Sequence, residues 1–305
     1  MWFKQAVIFQ LDENFHISTA ELNEKMAVLA FRPCMPSMPS SMGWAAPVDE
    51  PEAPFAQVIN GYTMVCLQIE EKILPADVIR QELAKKIKEI ENNEARKVRQ
   101  KEKYEIKDQL VATLLPRAFT KLARIYAYID PKNNWLIVGT TQEKKVEKLI
   151  SMFSKTLNME VSPVIIEKLS YTLTHWLTSQ SYSSSFAIEK SCVLQDLNQQ
   201  NRVVRCQQQD LFANSIQSLL KDGHYVKQLA LSWQDRVKFV LVDGFKITGI
   251  KFEEEIIAQS KEMEAGTIQQ QFIADFLIMS ATLSLLIKDL YDVLQKDDSK
   301  QKLVA

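Results

Sequence analysis

The sequence predicts an α+β fold built from antiparallel sheets and long helices. Apolar residues recur at intervals of three and four in several segments, which is typical of amphipathic helices. Elsewhere, pairs of β-rich segments flank clusters of turn-forming residues, as expected for hairpins. With 305 residues, of which 46% are hydrophobic, the chain is long enough to bury a sizeable core without disulfides or metals.

The N-terminal part of the chain contains two predicted strands, a helix and a long loop. Residues 2–10 and 61–70 are the predicted strands, and Leu22, Met26 and Leu29 indicate a helix over residues 19–30. Residues 32–55 contain six of the ten prolines, so we expect this whole segment to be a loop.

A long helix is predicted after Pro75, because proline suits the first helical position. Its apolar stripe consists of Val78, Ile79, Leu83, Ile87 and Ile90. The stripe fades over residues 91–108, which leaves two alternatives, a helix that projects into solvent or a flexible arm. Helical spacing returns at Ile106, Leu110 and Leu114, and Pro116 ends the helix.

The rest of the chain is predicted to mix strands and helices. A hairpin with its turn at 130–134 comes first, followed by a helix over 146–157 and a serine-rich linker or domain boundary at 178–185. The later elements are strands near 186–194 and 202–207, a helix over 210–221 stopped by Gly223, a meander over 224–253 with a turn at Asp243-Gly244, and helices at about 253–264 and 268–295.

These elements suggest three regions. Residues 1–75 together with 120–178 form an N-terminal α+β region, residues 76–119 form a basic helical region with a tip, and residues 179–305 form a C-terminal α+β region. We find no repeat of fixed period.

Several kinds of catalytic site are excluded by residue spacing. The seven glycines are too far apart for a dinucleotide-binding loop, a Walker A loop or a serine-hydrolase elbow. The three histidines are not within one helical turn of each other, and Cys34, Cys66, Cys192 and Cys206 have no CxxC spacing. We therefore predict no metal, no cofactor and no enzyme activity, and we interpret the cysteines as small core residues.

Carboxylates offer a weaker route to catalysis. Consecutive residues on a helix point about 100° apart, so Glu253, Glu254 and Glu255 do not converge on one ion and are interpreted as a solvated helix start. Asp275 lies in an apolar segment, where a hydrogen-bonded structural role and a catalytic role both remain open.

No membrane partner is expected. The N-terminal fifteen residues lack the long apolar stretch of a secretion signal, and the apolar segment 272–287 is shorter than the roughly 20 residues of a membrane span. Together with the small number of cysteines, this predicts a soluble cytoplasmic protein.

One segment is strongly basic although the formal net charge of the chain is −1. Residues 85–121 contain six acidic and eleven basic side chains: Lys85, Lys86, Lys88, Arg96, Lys97, Arg99, Lys101, Lys103, Lys107, Arg117 and Lys121. Residues 251–305 have the opposite balance, with ten acids and six lysines. Such a basic segment can neutralise phosphates and release counterions, or it can be an ordinary solvated helix face.

Phe119 follows the helix-ending proline and alternates with Arg117 and Lys121. If this segment is a loop or the tip of a strand, an exposed aromatic between two cations can wedge against DNA or a partner. The alternative is that Phe119 packs into the core.

The order of short motifs along nearly the whole chain resembles the family of the recombination-associated protein RdgC. The most specific motif is LLPRAF at 114–119. The others include MWFK at 1–4, MGW at 42–44, NG at 60–61, EEKILP at 70–75, QDL at 209–211, LALSW at 229–233 and ADF at 274–276.

The resemblance implies an elongated protein of several subdomains that forms a ring-shaped homodimer around double-stranded DNA. It also implies binding with little sequence preference, association with the nucleoid and restraint of recombination driven by RecA, without catalysis. The candidate DNA-binding residues are the eleven basic side chains above, Phe119, Gln209 and Lys227. Where many members have two lysines before the QDL motif, this chain has Gln207 and Gln208, which predicts weaker DNA binding.

Two rival hypotheses remain. The basic segment can bind the recombinase directly, with DNA binding incidental, or acidic residues such as Glu253, Glu255 and Asp275 can form a metal-dependent nuclease site.

Overall fold

The computed structural model describes residues 1–12, 15–50, 52–199, 201–263 and 266–302. Within these ranges the strands are β1 (Ala6–Gln10), β2 (Ser40–Ala45), β3 (Ala56–Ile59), β4 (Tyr62–Lys72), β5 (Thr120–Asp130), β6 (Trp135–Val138), β7 (Ser162–Pro163), β8 (Phe186–Asp196), β9 (Val203–Gln207), β10 (His224–Trp233), β11 (Val237–Val242) and β12 (Lys246–Phe252). The predicted α+β class with antiparallel pairing is therefore confirmed.

The helices in the described ranges are α1 (Thr19–Val28), α2 (Ala76–Glu94), α3 (Gln100–Leu114), α4 (Glu143–Leu157), α5 (Leu169–Ser179), α6 (Asn214–Lys221), α7 (Glu254–Glu262) and α8 (Ile268–Lys302). A short 3-10 turn at Leu115–Arg117 follows α3. The structure contains no helix, in the residues it describes, that is long and apolar enough to cross a membrane.

The chain divides into two compact units. The larger contains Met1–Lys25, Ala46–Val65 and the chain from Ile125 onward, and the smaller contains Met26–Ala45 and Cys66–Arg124. These boundaries differ from those of the three predicted regions, since residues 179–305 share a unit with residues 1–25. The serine-rich segment 178–185 also lies inside the larger unit.

The larger unit is organised by an antiparallel sheet with the order β6-β1-β12-β11-β10-β8-β9. The meander β10–β12 is paired as predicted, and Gly244 at φ 77° makes the turn between its last two strands. Helices α5 and α6 pack against β10, and α7 packs against α8. The core contains Trp176 of α5, Leu229 and Leu231 of β10, and Phe276 and Leu290 of α8, all of them buried.

The smaller unit is organised by β2, the second half of β4 and the two helices α2 and α3. Residues 40–45 pair with residues 66–71 in antiparallel register. Its buried residues include Trp44, Leu67, Ile106 and Leu110.

The prediction that residues 32–55 form only a loop was wrong, because β2 lies within them. The six prolines of this segment fall before residue 40 or after residue 45, so they flank the strand without interrupting it. Gly43 allows the backbone of residues 30 and 31 to approach β2, since a Cβ there would lie 2.5 Å from the Cα of Phe31. The strand thus depends on contacts distant in sequence, which local composition does not report.

The single long helix predicted after Pro75 is two helices. Ala95 ends α2 in a left-handed conformation with φ 50° and ψ 31°, and α3 begins five residues later at Gln100. The weakly apolar segment 91–108 is therefore neither a continuous projecting helix nor a wholly irregular arm. Helix α5 and strand β3 were also not predicted, and Glu264, in the predicted helix 253–264, lies outside the described residues.

Candidate nucleic-acid interface

Helix α2 presents its cations on a surface element. None of its 19 residues is buried. Ile79, Leu83, Ile87 and Ile90 of the apolar stripe are half-buried, so this face makes the packing contacts of the helix. Lys85 lies 2.6 Å from Glu82, one turn earlier, whereas Lys86 and Lys88 make no ion pair within the described part of the chain.

The connection between α2 and α3 is held by Arg96. Its Nε donates to Glu94 at 2.6 Å, and its two terminal nitrogens donate to the two oxygens of Glu102 at 2.7 Å each. The hydrogen bonds to Glu102, and to a smaller extent the one to Glu94, raise the pKa of Arg96. The contact with Arg96 in turn lowers the pKa of Glu102. Arg96, a predicted DNA-binding residue, is therefore already paired with two carboxylates.

Val98 fixes the same connection from its other side. Its backbone N–H donates to Glu91 at 3.1 Å, and its side chain is buried. Lys97 and Arg99, which flank it, are both exposed. Alternation between a buried valine and two exposed cations positions both charges at the surface.

Helix α3 continues the basic surface. Ile106 and Leu110 are its buried residues, and Lys101, Lys103 and Lys107 lie outside that buried pair. These three lysines, like Lys97 and Arg99, make no ion pair in the ranges that the structure describes. Glu89, Glu105 and Asp108 are acidic residues of the same two helices that also lack an ion pair there, so the surface is predominantly but not purely basic.

Phe119 lies just beyond the 3-10 turn and exposes 85% of its side chain. Its carbonyl accepts a hydrogen bond of 2.7 Å from the N–H of Ile73, which fixes the backbone while the ring faces solvent. Arg117 and Lys121 are exposed as well. Of the two alternatives for Phe119, the exposed one is confirmed and packing into the core is wrong.

Gln209 and Lys227 belong to the larger unit, whereas the eleven basic residues and Phe119 belong to the smaller one. Gln209 is exposed, and its backbone N–H donates to the carbonyl of Lys190 at 3.2 Å. Lys227 is half-buried on β10. Gln207 ends β9, and the exposed Gln208 follows it in a left-handed conformation with φ 53°.

Comparison with known proteins assigns the chain to a family. A family model described as "Putative exonuclease, RdgC" matches residues 1–297. The chain belongs to the RdgC family. Recombination-associated protein RdgC of Yersinia enterocolitica serotype O:8 / biotype 1B is 32% identical over 296 residues, which cover 96% of this chain and 98% of the relative. Proteins of the same name from Yersinia pestis (strain Pestoides F) and Yersinia pseudotuberculosis serotype O:1b give the same identity and coverage.

The predicted resemblance to RdgC is therefore confirmed, and the relatives' name associates the family with recombination. Leu122, which is 60% exposed in β5, was missed by sequence reasoning about this RdgC family member. It lies three residues after Phe119 and is a second exposed apolar residue of that segment. The hint in the sequence that Leu122 is exposed is that it lies among polar residues at the beginning of a β-rich segment.

Because the family description mentions an exonuclease, the carboxylates of this RdgC chain are relevant. Asp275 accepts hydrogen bonds from the N-terminal ammonium of Met1 at 2.5 Å, from Ser260 at 3.0 Å and from Gln271 at 2.9 Å. Glu253 lies 3.3 Å from Lys238. Among the described residues, no group of three or more histidine, cysteine, aspartate or glutamate side chains is placed to hold a metal ion. The contacts of Asp275 support its structural interpretation.

Proposed function

We propose that this RdgC family member binds double-stranded DNA without regard to sequence, through the basic surface of α2, α3 and the segment that connects them. The observation that carries the proposal is a set of seven cations without ion pairs in these described elements: Lys86, Lys88, Lys97, Arg99, Lys101, Lys103 and Lys107. Contacts from lysine and arginine to phosphates release counterions and give affinity without reading bases.

We further propose that two copies form a closed dimer around the duplex and so restrain recombination driven by RecA. The resemblance to the family supports this assembly, and the isologous contacts of a two-fold dimer are compatible with a closed ring. Gln209 and Lys227 of the larger unit are proposed as additional phosphate contacts. A ring on DNA restrains strand exchange because it occupies the duplex that a recombinase filament must reach.

The test is a binding titration with a random-sequence duplex over a series of salt concentrations. The variant Lys97→Gln/Lys101→Gln/Lys107→Gln removes three exposed cations of the proposed surface. The control Lys144→Gln/Lys155→Gln/Lys221→Gln removes three exposed lysines of the larger unit, so both variants lose the same charge.

The expected results follow from counterion release. The wild type and the control bind, and log affinity falls linearly with log salt. The variant binds on the order of tenfold more weakly, and its salt slope is smaller by about 2–3. Equal losses in both triple variants would place the contact elsewhere, and no binding by the wild type at low salt would overturn the proposal.

Direct binding to the recombinase is the alternative that the exposed side chains of Phe119 and Leu122 favour. Apolar groups beside cations are common at protein interfaces. A strand-exchange assay separates the two mechanisms. If charge reversal at Lys97, Lys101 and Lys103 abolishes inhibition while duplex affinity stays unchanged, inhibition acts through the protein partner.

Our proposal contains no catalytic step, and the family description supplies the counter-hypothesis of an exonuclease. Incubation of the protein with linear and supercoiled DNA in Mg²⁺ or Mn²⁺ tests it. The exonuclease hypothesis would replace the binding proposal if the linear duplex is shortened only when a divalent cation is present, if this activity co-purifies with the protein, and if Asp275→Asn abolishes it.

A further inference from the structure

Cys192 and Cys206 face each other across the strand pair β8–β9. The register places Cys192 directly opposite Cys206, between the neighbouring pairs Ser191–Gln207 and Val193–Arg205. Residues that face each other in an antiparallel pair project to the same side of the sheet. Both side chains are buried, with 4% and 5% of their surface exposed, so both thiols lie on the core side.

The backbone geometry of this pair is compatible with a disulfide. The N–H of Asp196 donates to the carbonyl of Arg202 at 3.0 Å. Asp196 and Arg202 are thus a hydrogen-bonded pair. Hydrogen-bonded and non-hydrogen-bonded pairs alternate along an antiparallel ladder, so Cys192 and Cys206, four residues further along the same register, are also a hydrogen-bonded pair. The Cα atoms of such a pair are about 5.5 Å apart. Disulfides accept Cα separations of about 4.4–6.8 Å.

We propose that Cys192 and Cys206 form a reversible disulfide when the folded protein meets a low-molecular-weight disulfide, which makes this pair a redox-modification site. The bridge joins β9, the last strand in the order of the sheet, to its neighbour β8. The bridge does not involve the basic surface of α2 and α3, although Gln209, two residues after β9, and Lys227 of β10 were proposed above as additional phosphate contacts.

The reaction is two successive thiol–disulfide exchanges. One cysteine thiolate attacks the small disulfide, forms a mixed disulfide and expels one small thiolate. The second cysteine thiolate then attacks the protein sulfur of the mixed disulfide and expels the other small thiolate. Two protein thiols are oxidised, one small disulfide is reduced to two thiols, and the two cysteine protons go to those leaving thiolates.

Access to the thiols comes from the position of β9. Burial, with a further contribution from the Cys206 thiol, raises the pKa of Cys192 to about 12. Exchange requires the thiolate, so the closed fold reacts slowly. Among the residues that the structure describes, strand β9 pairs on one side only, and such elements open locally at lower cost than central strands. The cysteines also belong to the lining of a pocket of about 250 Å³ beside this edge.

The proposed disulfide is reversible because of where the two cysteines lie in the strand pair. Cβ atoms of facing residues are about 4.5–5.5 Å apart, and a disulfide holds them at about 3.5–4.5 Å. Closing this difference of about 1 Å strains the pair and makes the bond easier to reduce. Reduction by a dithiol therefore restores the free cysteines.

The test uses the intact native protein and 2-hydroxyethyl disulfide as the probe. After incubation, free thiols are blocked by alkylation under unfolding conditions, and the bonded residues are mapped by peptide mass spectrometry. We expect one bridge between Cys192 and Cys206, lost on reduction, while Cys66, which faces Ala45 across β2 and β4, is recovered alkylated. The oxidised protein should also unfold at a higher temperature, because the bridge closes a loop in the unfolded chain.

Two variants make the outcome decisive. Cys34→Ser removes the half-exposed cysteine and should leave the bridge intact. Cys206→Ser should abolish the bridge and the rise in melting temperature. The proposal is overturned if both thiols stay free in the folded protein while the urea-unfolded chain oxidises. Mixed disulfides that never resolve, or a bridge that involves Cys34, overturn it equally.

Discussion

Phe119 exposes 85% of its ring between the cations Arg117 and Lys121, so its contribution to folding is small and its contribution to binding can be isolated. We expect Phe119→Ala to change the free energy of unfolding by less than about 0.5 kcal/mol, as surface substitutions usually do. Duplex affinity should fall several-fold at every salt concentration. The salt slope should stay unchanged, because an aromatic ring releases no counterions.

Arg117→Gln is the matched comparison, since it removes a neighbouring cation and should reduce the slope by about 1. Fluorescence anisotropy with a labelled duplex over a salt series measures both effects. If Phe119→Ala binds DNA like the wild type but no longer restrains strand exchange, the ring contacts a protein partner.

Gln208 occupies a position where the family resemblance leads us to expect a lysine. We expect Gln208→Lys to tighten duplex binding about two- to fivefold and to increase the salt slope by about 0.9, the value of one added phosphate contact. Gln234→Lys is the control, because Gln234 is also exposed and also left-handed, with φ 48° compared with 53° at Gln208. Equal gains in the two variants, measured by the same titration, would indicate a general charge effect and no contact at Gln208.

The stability of the fold at acid pH is expected to depend on the carboxylate of Asp275. Burial opposes its ionisation, but hydrogen bonds from the N-terminal ammonium, Gln271 and Ser260 lower its pKa. A depressed carboxyl pKa stabilises the fold above the unfolded value of about 3.9, and this contribution is lost as pH falls through the folded value. We expect Asp275→Asn to cost about 1–3 kcal/mol at pH 7.

Urea unfolding between pH 7 and pH 3 measures this effect. The difference between wild type and Asp275→Asn should begin to shrink below about pH 4, where the carboxyl of the unfolded chain takes up a proton, and should be lost as pH falls through the lower pKa of the folded state. Asp235→Asn, an exposed substitution, should show little difference at any pH. A constant difference across the range would mean that packing, and not charge, accounts for the loss.

At the scale of elements, the break between α2 and α3 depends on Ala95. A left-handed conformation costs a residue with a Cβ roughly 1–2 kcal/mol, and glycine avoids this cost. We therefore expect Ala95→Gly to stabilise the smaller unit by about 1 kcal/mol. Ala84→Gly, the same substitution at an exposed position inside α2, should destabilise it by about 1 kcal/mol.

Hydrogen exchange of the amides in α2 and α3 measures both changes without altering the charge of the surface. Protection should rise in Ala95→Gly and fall in Ala84→Gly. Loss of protection in both variants would mean that the connection is not held in the left-handed conformation in solution.

The elements that sequence reasoning identified are those with a strong local signal. The hairpin of β5 and β6, helix α4 and the meander β10–β12 follow from apolar periodicity and turn residues. Strand β2 has a weak local pattern and is established by pairing with β4, about 25 residues away. The break at Ala95 was missed because alanine favours helices, and only the contacts of Arg96 and Val98 around it reveal the turn.

In the candidate site, too, the sequence revealed the local properties and not those that depend on the path of the folded chain. Which residues carry positive charge was readable from the sequence, and the exposure of Phe119 was one of two stated alternatives. Which cations are already paired was not readable, because Arg96 has Glu94 and Glu102 as partners while Lys97, next to it, has none in the described part of the chain. Partner choice depends on the path of the connection between α2 and α3.

At the scale of the whole molecule, net charge conceals how charge is distributed. The chain sums to −1, yet residues 85–121 hold eleven basic and six acidic side chains. Local fields steer charged ligands over distances of about one Debye length, roughly 8–10 Å at physiological salt. A duplex near the smaller unit therefore responds to that unit's charge and not to the sum. For this reason a near-neutral chain is compatible with strong binding to DNA.

A closed ring and an open basic surface predict different behaviour on circular DNA. If the proposed dimer encloses the duplex, protein loaded on a closed circle at low salt should stay bound after a wash at about 0.5 M salt, where phosphate contacts alone are weak. Linearising the circle should release it, because the ring can slide off the ends. Retention after a wash, followed by gel filtration and immunoblotting, measures this difference.

Two controls separate topology from affinity. Nicking relaxes the circle without creating ends, so retention should persist, and a linear duplex with streptavidin at both ends should retain the protein as the circle does. Equal release from circular and open linear DNA would show that the chain binds through phosphate contacts on an open surface. Restraint of recombination would then require continuous saturation of the duplex by free protein and would disappear on dilution, whereas enclosed rings would persist.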